Sequence, residues 1–456
     1  MSQPGSEGKT LLNIALPLTA AYVAEMGMVI TDMIIVGRLG PQALAAVGLA
    51  GDMFWVILLI GMGVISIVGV LAAQSLGAGD QPGVVAAGEQ GMIAALITSV
   101  PIMLVVWMFG PLLSLANQDP DVVRLVNEYA RMLVWGTLPF LGFTVLRNYV
   151  TALARSAAIG WITVAAVGLN LLLNYTLVYG KFGFEALGVA GAGIGTSLVN
   201  LVMFATLAVY MTRTKALQRF RFSLIPRRIN REVLGELLRL GSPVALTQIL
   251  NGGMFSAAAV CVGMIGAATL AAQQIIYSVV YLALSAASGV ADAVRVRVAF
   301  GVGRKNVAAV ERSARLGLSM AALASLAAAL VLWIWPEYLV RVFLTAGSEE
   351  NAESLRIALA LSSAAGLFLF FDGTQLVLAN AARGLRDTSM PLLISLLGYW
   401  VVGMGVGVVL CFPLEMGAQG LWTGLVAGVV FCNFLLFKRF RFSLHRVRRR
   451  LAAAGD

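Results

Sequence analysis

The sequence is poor in charge and nearly without histidine. Asp, Glu, Lys and Arg make up 12% of its 456 residues, and the one histidine, His445, stands in the basic C-terminal stretch. Soluble domains are about 25% charged, so this chain has too few charges to cover itself in water. The lack of histidine removes a His-based metal site and a Ser–His triad from the apolar part of the chain. Cysteine is also scarce. Cys261, Cys411 and Cys432 each lie in an apolar run, with neither a metal-ligand spacing nor a disulfide framework. They read as small buried residues. No secretory signal is visible. The first ten residues are polar, and the apolar stretch that follows is too long and lacks a small-residue cleavage site.

Apolar residues fill the space that charge leaves. They make up 59% of the chain, and the mean hydropathy is +0.89. A spanning helix needs about 20 mostly apolar residues. The pattern predicts twelve, near 11–37, 44–75, 84–113, 122–152, 159–180, 187–212, 234–264, 268–300, 308–335, 350–381, 389–411 and 417–437. Gly40-Pro41, the Gly77–Asp80 run, Asp119-Pro120, the Gly180–Gly183 run and Phe412-Pro413 punctuate them. Glycine is frequent, at 49 residues, and small residues let membrane helices approach closely.

Lys and Arg set the expected orientation. The link after span six carries Arg213, Lys215, Arg219, Arg221, Arg227, Arg228 and Arg231, and the tail from Lys438 to Arg450 is as basic. The alternate links have Arg38, Lys181, Arg341 and little else. Both termini are therefore expected in the cytoplasm of an inner, plasma-membrane protein. The basic linker and tail read as topology signals in contact with anionic lipids, and no nucleic-acid partner is expected.

The chain repeats itself. Arg219-Phe220-Arg221-Phe222-Ser223-Leu224 recurs letter for letter as Arg439 to Leu444. Val36-Gly37-x-x-Gly40-x-x-x-Leu44-Ala45-Ala46 recurs as Val262-Gly263-x-x-Gly266-x-x-x-Leu270-Ala271-Ala272, and the same offset of 226 places Pro17 on Pro243. Six spans per half is an even number, so the halves are parallel repeats about an axis along the membrane normal, as in other transporters. The expected organisation is an N-terminal bundle over 1–212, a basic linker over 213–232, a C-terminal bundle over 233–437 and a basic tail over 438–456.

Charges inside spans are costly and usually functional. Asp32 lies near the end of span one. Glu25, seven residues earlier, faces the same way about 10.5 Å along the helix. Asp372 lies mid-span in span ten, beside Phe368, Phe370, Phe371 and Gln375. Each also has a plain structural reading, as the partner of a backbone group or an arginine. Arg147 in span four reads as an ion-pair partner. Asp292, Arg295 and Arg297 at the end of span eight read as solvated or snorkelling. A carboxylate in an apolar cavity can hold a proton near neutral pH, coordinate Na⁺ or attract an organic cation. Competition for the same oxygens is one way to make an antiporter. Met26, Met28, Tyr277 and Phe371 are among the residues that could line an adaptable pocket, since Met suits promiscuous binding.

The ordered motifs resemble those of the multidrug and toxic compound extrusion (MATE) family over essentially the whole chain. They are Pro17 with the Thr31–Gly40 run, Asn170-x-x-x-Asn174-Tyr175 with the Leu187–Gly193 run, and Asp372-x-x-Gln375 with the Ala382–Thr388 run and Pro391. The resemblance implies an all-α integral membrane fold, with two pseudo-symmetric six-helix bundles arranged in a V. It also implies export driven by an inward H⁺ or Na⁺ gradient, with Asp32 and Asp372 in cation coupling or substrate binding. Asn170 and Asn174 match polar positions near the N-terminal cavity. The norfloxacin-exporter branch carries a span-seven Glu that reads Asn251 here, a His-Gln pair that reads Gln273-Gln274, and a later Asn that reads Ser278. The usual Na⁺ site of the C-terminal half thus lacks a carboxylate. The repeat offset carries Asn251 back to Glu25, so the missing acid reappears in span one.

These readings converge on a rocker-switch antiporter for cationic amphipathic molecules. Its cation-coupling residues are Asp32, Glu25 and Asp372, with Na⁺ possible at any of the three. Its substrate-binding residues are Asn170, Asn174, Asn251, Gln375 and Tyr277. A monomer is expected, with no catalytic residue and no cofactor beyond the coupling ion. A lipid-linked sugar flippase of the same superfamily is the alternative within transport, although such proteins often have fourteen spans and a more basic cavity. A membrane-embedded enzyme would need a catalytic cluster that the sequence lacks. A channel or scaffold fits the repeat but not the placed acids.

Overall fold

The computed structural model describes residues 4–116, 118–224, 228–341 and 349–453, and every regular element in them is helical. Arg227, counted above in the linker, lies outside the described residues. Among the described residues, twelve helices are long and apolar enough to cross a membrane. They are Pro4–Gly37, Pro41–Ala78, Gln81–Trp107, Pro120–Ala152, Ala157–Tyr179, Gly188–Arg213, Arg231–Gly263, Ala267–Gly303, Val307–Ile334, Glu349–Gly384, Ser389–Cys411 and Gly417–Ala453. We number them as spans one to twelve. The expected breaks hold because they carry capping chemistry. The Asp80 carboxylate accepts from the Gly83 amide at 3.0 Å and the Asp119 carboxylate from Asp121 at 2.8 Å, satisfying first-turn donors. Asn306 caps span nine through the Ala309 amide at 2.9 Å. Outward-facing side chains such as Leu16, Ile34, Leu104 and Trp161 are exposed and apolar, as contact with lipid requires.

The spans form two compact units, and the division falls inside spans one and seven rather than in the 213–232 linker. One unit is Ala20–Ala245; the other is the chain up to Thr19 together with Leu246 onward. Each division lies two residues beyond an in-helix proline, Pro17 or Pro243. Proline removes a helical hydrogen bond and loosens the helix at that point. The first halves of spans one and seven thus pack with spans from the other half of the sequence.

Glycines seat these exchanged halves. In the N-terminal unit, a methyl on Gly63 of span two would lie 2.4 Å from the Cα of Ala245, and one on Gly241 would lie 2.6 Å from the Cα of Val64. In the C-terminal unit, a methyl on Gly289 of span eight would lie 2.6 Å from the Thr19 amide nitrogen and 2.9 Å from the Ala15 carbonyl oxygen. The offset of 226 carries Gly63 onto Gly289 and Thr19 onto Ala245, so the two seats are one contact made twice. The start of span one is pinned further by charge. Arg297 grips Glu7 with two bonds of 2.9 and 2.7 Å, and Ser313 donates a third at 2.7 Å. The span-eight cluster was expected to be solvated. It is instead paired: Arg297 holds Glu7, and Arg295, 4% exposed, meets Asp292 at 3.2 Å.

Within the N-terminal unit, span two packs on spans three and four, and span six on spans four and five. In the C-terminal unit, span ten lies against spans eight, nine and twelve. Spans eleven and twelve meet through glycines. Gly420, Gly424 and Gly428 repeat every four residues, and methyls on the last two would come within 2.2 Å of Gly407 and 2.4 Å of the Gly398 carbonyl oxygen. Opposite them, Leu396–Met404 of span eleven winds as a π-helix, which changes the direction of its side chains.

The repeated hexapeptide folds in two ways. At 219–224 it ends a 3₁₀ turn, Lys215–Phe220, and then leaves helical structure; at 439–444 it continues span twelve. The basic tail is thus a direct extension of a spanning helix. In the first copy, Tyr149 donates to the Phe220 carbonyl at 2.7 Å, and Phe222 stacks edge-on against Tyr149 at 4.8 Å. In the second, Arg439 and Ser443 both bond Asp387, at 2.6 and 2.8 Å. Tertiary partners decide between the two conformations.

Overpacking a tight helix crossing costs about 1–3 kcal/mol. Gly63→Ala or Gly289→Ala should each destabilise by that amount, read as a lower thermal-unfolding midpoint in detergent. Gly168→Ala, where a methyl meets nothing within 4 Å, should leave the midpoint unchanged or raise it.

Candidate functional site

In the N-terminal unit, span one is hydrogen-bonded across the bundle at Asp32. Asn170 and Asn174 stand one turn apart on span five and point their side-chain amides at the same oxygen. Asn170 Nδ2 donates to Asp32 Oδ1 at 3.0 Å, and Asn174 Nδ2 donates to that atom as well. Thr196 of span six reaches Oδ2 at 3.4 Å while its hydroxyl also lies 3.1 Å from the Ala192 carbonyl. Gly195 makes room for this geometry: a methyl there would lie 2.3 Å from Asn174 Oδ1. Tyr179 anchors the same region by donating to the Ile35 carbonyl at 2.6 Å.

Two oxygens of this cluster are unused. Asn170 Oδ1 and Asn174 Oδ1 are buried and have no hydrogen-bond partner among the described residues. A primary amide turned over exchanges its donor for its acceptor. As placed, the amides serve a bare carboxylate. Turned over, they would add two oxygens to those of Asp32 and Thr196, and hard cations take oxygen ligands. The donor set therefore fits either a charged carboxylate or a carboxylate with a cation on it.

Glu25 has a charged partner. Its carboxylate accepts from Arg147 Nη1 at 2.6 Å, and both side chains are largely buried, at 14% and 6% exposed. Glu25 and Asp32 lie on one face of span one, as the spacing requires; Glu25 pairs with Arg147, and Asp32 bonds Asn170, Asn174 and Thr196. The sequence places Glu25 and Asp32 on one face as candidate cation-coupling acids; in this structure the cation on Glu25 is the Arg147 guanidinium.

In the C-terminal unit, Asp372 accepts from the hydroxyl of Tyr399 at 2.5 Å. Tyr399 lies in the π-helical stretch of span eleven. Its neighbour Trp400 donates to the Leu250 carbonyl at 3.0 Å, next to Asn251. Asn251 is half-buried, and its side-chain oxygen has no partner among the described residues. Tyr277 belongs to a closed cycle of four rings. It meets Phe255 at 5.0 Å and Trp422 at 5.4 Å, and Phe368 closes the cycle at 5.8 Å from Phe255 and 5.9 Å from Trp422. Phe368 is one turn before Asp372 and Phe255 one turn after Asn251. Spans seven, eight, ten and eleven thus bring Asn251, Tyr277 and Asp372 to one region without a direct bond among them. Gln375 is buried one turn beyond Asp372.

Two partners escaped the sequence reading. Thr196 stood in an apolar span with only the preceding glycine run to mark it. Tyr399 was hidden in a hydrophobic stretch, where the Gly398-Tyr399-Trp400 triplet was the available signal.

A helical membrane protein of two repeated bundles, each holding a half-buried carboxylate on polar side chains, has the build of a membrane transporter. The MatE family model matches residues 17–176 and 243–409, one stretch in each half, and the chain belongs to this transporter family. Over 435 residues it is 34% identical to a probable multidrug resistance protein NorM of Synechococcus, covering 95% of this chain and 94% of that protein. A probable NorM of Pseudomonas aeruginosa is 34% identical over 457 residues, covering 100% and 93%. Among solved structures, a MATE protein in complex with MaL6 superposes with a TM-score of 0.89 at 22% identity, covering 97% of each chain. A eukaryotic MATE transporter gives 0.86 at 20% identity, covering 98% of this chain and 99% of its own.

Hydrogen bonds to a charged group contribute about 1.5–3 kcal/mol. Asn174→Leu should therefore destabilise by roughly that amount, and Thr196→Val by less, since its bond to Asp32 is long. In an Asp32→Ala background the cost of Asn174→Leu should shrink, a coupling read by a double-mutant cycle on thermal unfolding.

Proposed function

We propose that the chain is a secondary antiporter of the inner membrane. It exports cationic, amphipathic small molecules in exchange for H⁺ or Na⁺. The observation that carries this reading is the Asp32 cluster: a half-buried carboxylate held by two amides whose own oxygens have no hydrogen-bond partner among the described residues. Such a site can be neutralised by a proton or wrapped around a small cation, and it is lost to one when it takes the other. The relatives' names as multidrug resistance proteins support a xenobiotic cargo. The carboxylates of Asp32 and Asp372, half-buried within spans one and ten, support a cationic one.

In the proposed cycle the coupling ion enters from outside and occupies Asp32. Loading neutralises the carboxylate and removes its need for amide donors, so Asn170 and Asn174 can turn. That local change biases the bundle toward the inward-facing state of a rocker-switch. The ion then leaves, and a cationic substrate binds for the return. Asp372, bonded to Tyr399 beside the four-ring cluster, is the second acid of the cycle, with Asn251, Tyr277 and Gln375 as its polar and aromatic surroundings. Both termini face the cytoplasm, where the basic linker and tail contact anionic lipids. One chain carries both bundles, so the cycle needs no second copy. The lipid-linked sugar alternative is less favoured, because an anionic headgroup would meet carboxylates at Asp32 and Asp372.

The test is efflux of ethidium from vesicles containing the full chain, with pH and Na⁺ gradients imposed separately. One gradient should drive efflux. Asp32→Asn should reduce gradient-driven efflux at least tenfold, and Asp372→Asn should slow it as well. If the wild type responds to neither gradient, the antiporter reading fails.

A further inference from the structure

The Glu25–Arg147 contact has the composition of a ligand site. Arg147 is 5% exposed within span four, and its guanidinium lies 2.6 Å from the Glu25 carboxylate. Two aromatic rings attend the same guanidinium. Its carbon is 5.2 Å from the Tyr22 ring centroid and 6.0 Å from that of Phe143. A carboxylate with aromatic faces is the general recognition chemistry for an organic cation, combining charge with the ring quadrupoles. Tyr22 and Glu25 stand three residues apart on span one, on the stripe that continues to Asp32. The bond itself is with span four, so carboxylate and guanidinium sit on different helices and can part without local unfolding.

Resting on the transporter reading above, we propose that Glu25, Tyr22 and Phe143 form an organic-cation site occupied in this structure by the chain's own Arg147. A transported guanidinium- or amine-type cation competes with Arg147 for the Glu25 carboxylate. The charge balance makes this a device rather than a plug. One carboxylate serves two cations in turn. When substrate leaves, Arg147 returns, so Glu25 is never left bare in an apolar bundle. The empty carrier then needs no coupling ion at Glu25, and the ion is directed to Asp32. The offset partner of Glu25 in the other half is Asn251, which is uncharged and needs no such counter-ion.

The test uses the full chain in detergent, with methylguanidinium chloride as the probe and titration calorimetry as the readout. Arg147→Met removes the resident cation and leaves an apolar side chain of similar length. It should bind methylguanidinium at least tenfold more tightly than the wild type. Adding Glu25→Gln to it should abolish that gain. An Arg147→Met protein that binds no better than the wild type, or a double variant that keeps the gain, overturns the proposal. If Arg147→Met does not fold, Glu25→Gln alone decides. It should weaken methylguanidinium binding at least tenfold, and unchanged binding overturns the proposal. Wild-type ethidium efflux, measured in parallel, judges the transporter reading separately. Its absence would sink that reading and leave the binding arm intact.

Discussion

A charge inside a bilayer must have a partner, and this constraint organises the molecule. Four acids of the spans meet it with different chemistry. Glu7 takes a bidentate arginine and a serine, Glu25 an arginine, Asp32 two amides and a hydroxyl, and Asp372 a phenol. The partner indicates what each acid can do. A bidentate guanidinium fixes a carboxylate, and Glu7 accordingly pins the start of span one to spans eight and nine. An amide can offer either end. A phenol donates one proton. Along span one the partner changes from arginine at Glu7, near its start, and Glu25 to amides at Asp32, near its end.

The backbone supports this series through symmetry. Gly63 and Gly289 make the same contact in the two units, each against the half-helix that precedes or follows a proline. The exchanged halves end just past Pro17 and Pro243, where proline removes a helical hydrogen bond. Span one carries Tyr22, Glu25 and Asp32 within thirteen residues beyond Thr19.

Much of this was legible in the sequence, because it depends on long patterns. Twelve apolar runs, a repeated hexapeptide and the Pro17–Pro243 correspondence gave the spans, the two halves and the positions of Asp32, Asn170, Asn174 and Asp372. What escaped was set by contacts between distant residues. Nothing local to Glu25 says that Arg147 holds it, and seven-residue spacing alone favoured Asp32 as its companion. The span-eight charges read as snorkelling because Glu7 is 290 residues away from Arg297. The hexapeptide is the clearest case. Identical letters make a 3₁₀ turn and an extended stretch in one half and a helix in the other, because Tyr149 waits for the first copy and Asp387 for the second.

The halves are alike in backbone and unlike in charge, and the difference bears on mechanism. If both bundles held equivalent acids, either could take the coupling ion, and binding at one would gain nothing from the other. Here the amide-lined carboxylate lies in the Ala20–Ala245 unit, while the phenol-lined one sits beside four packed rings. Amides can present two additional oxygens to a small hard ion. Rings and a single hydroxyl suit a larger, softer cation. A parallel repeat thus keeps matched backbone contacts in its two halves, and the divergence of a few side chains gives Asp32 and Asp372 different surroundings. At the offset position of Glu25 the second half has Asn251, which carries no charge.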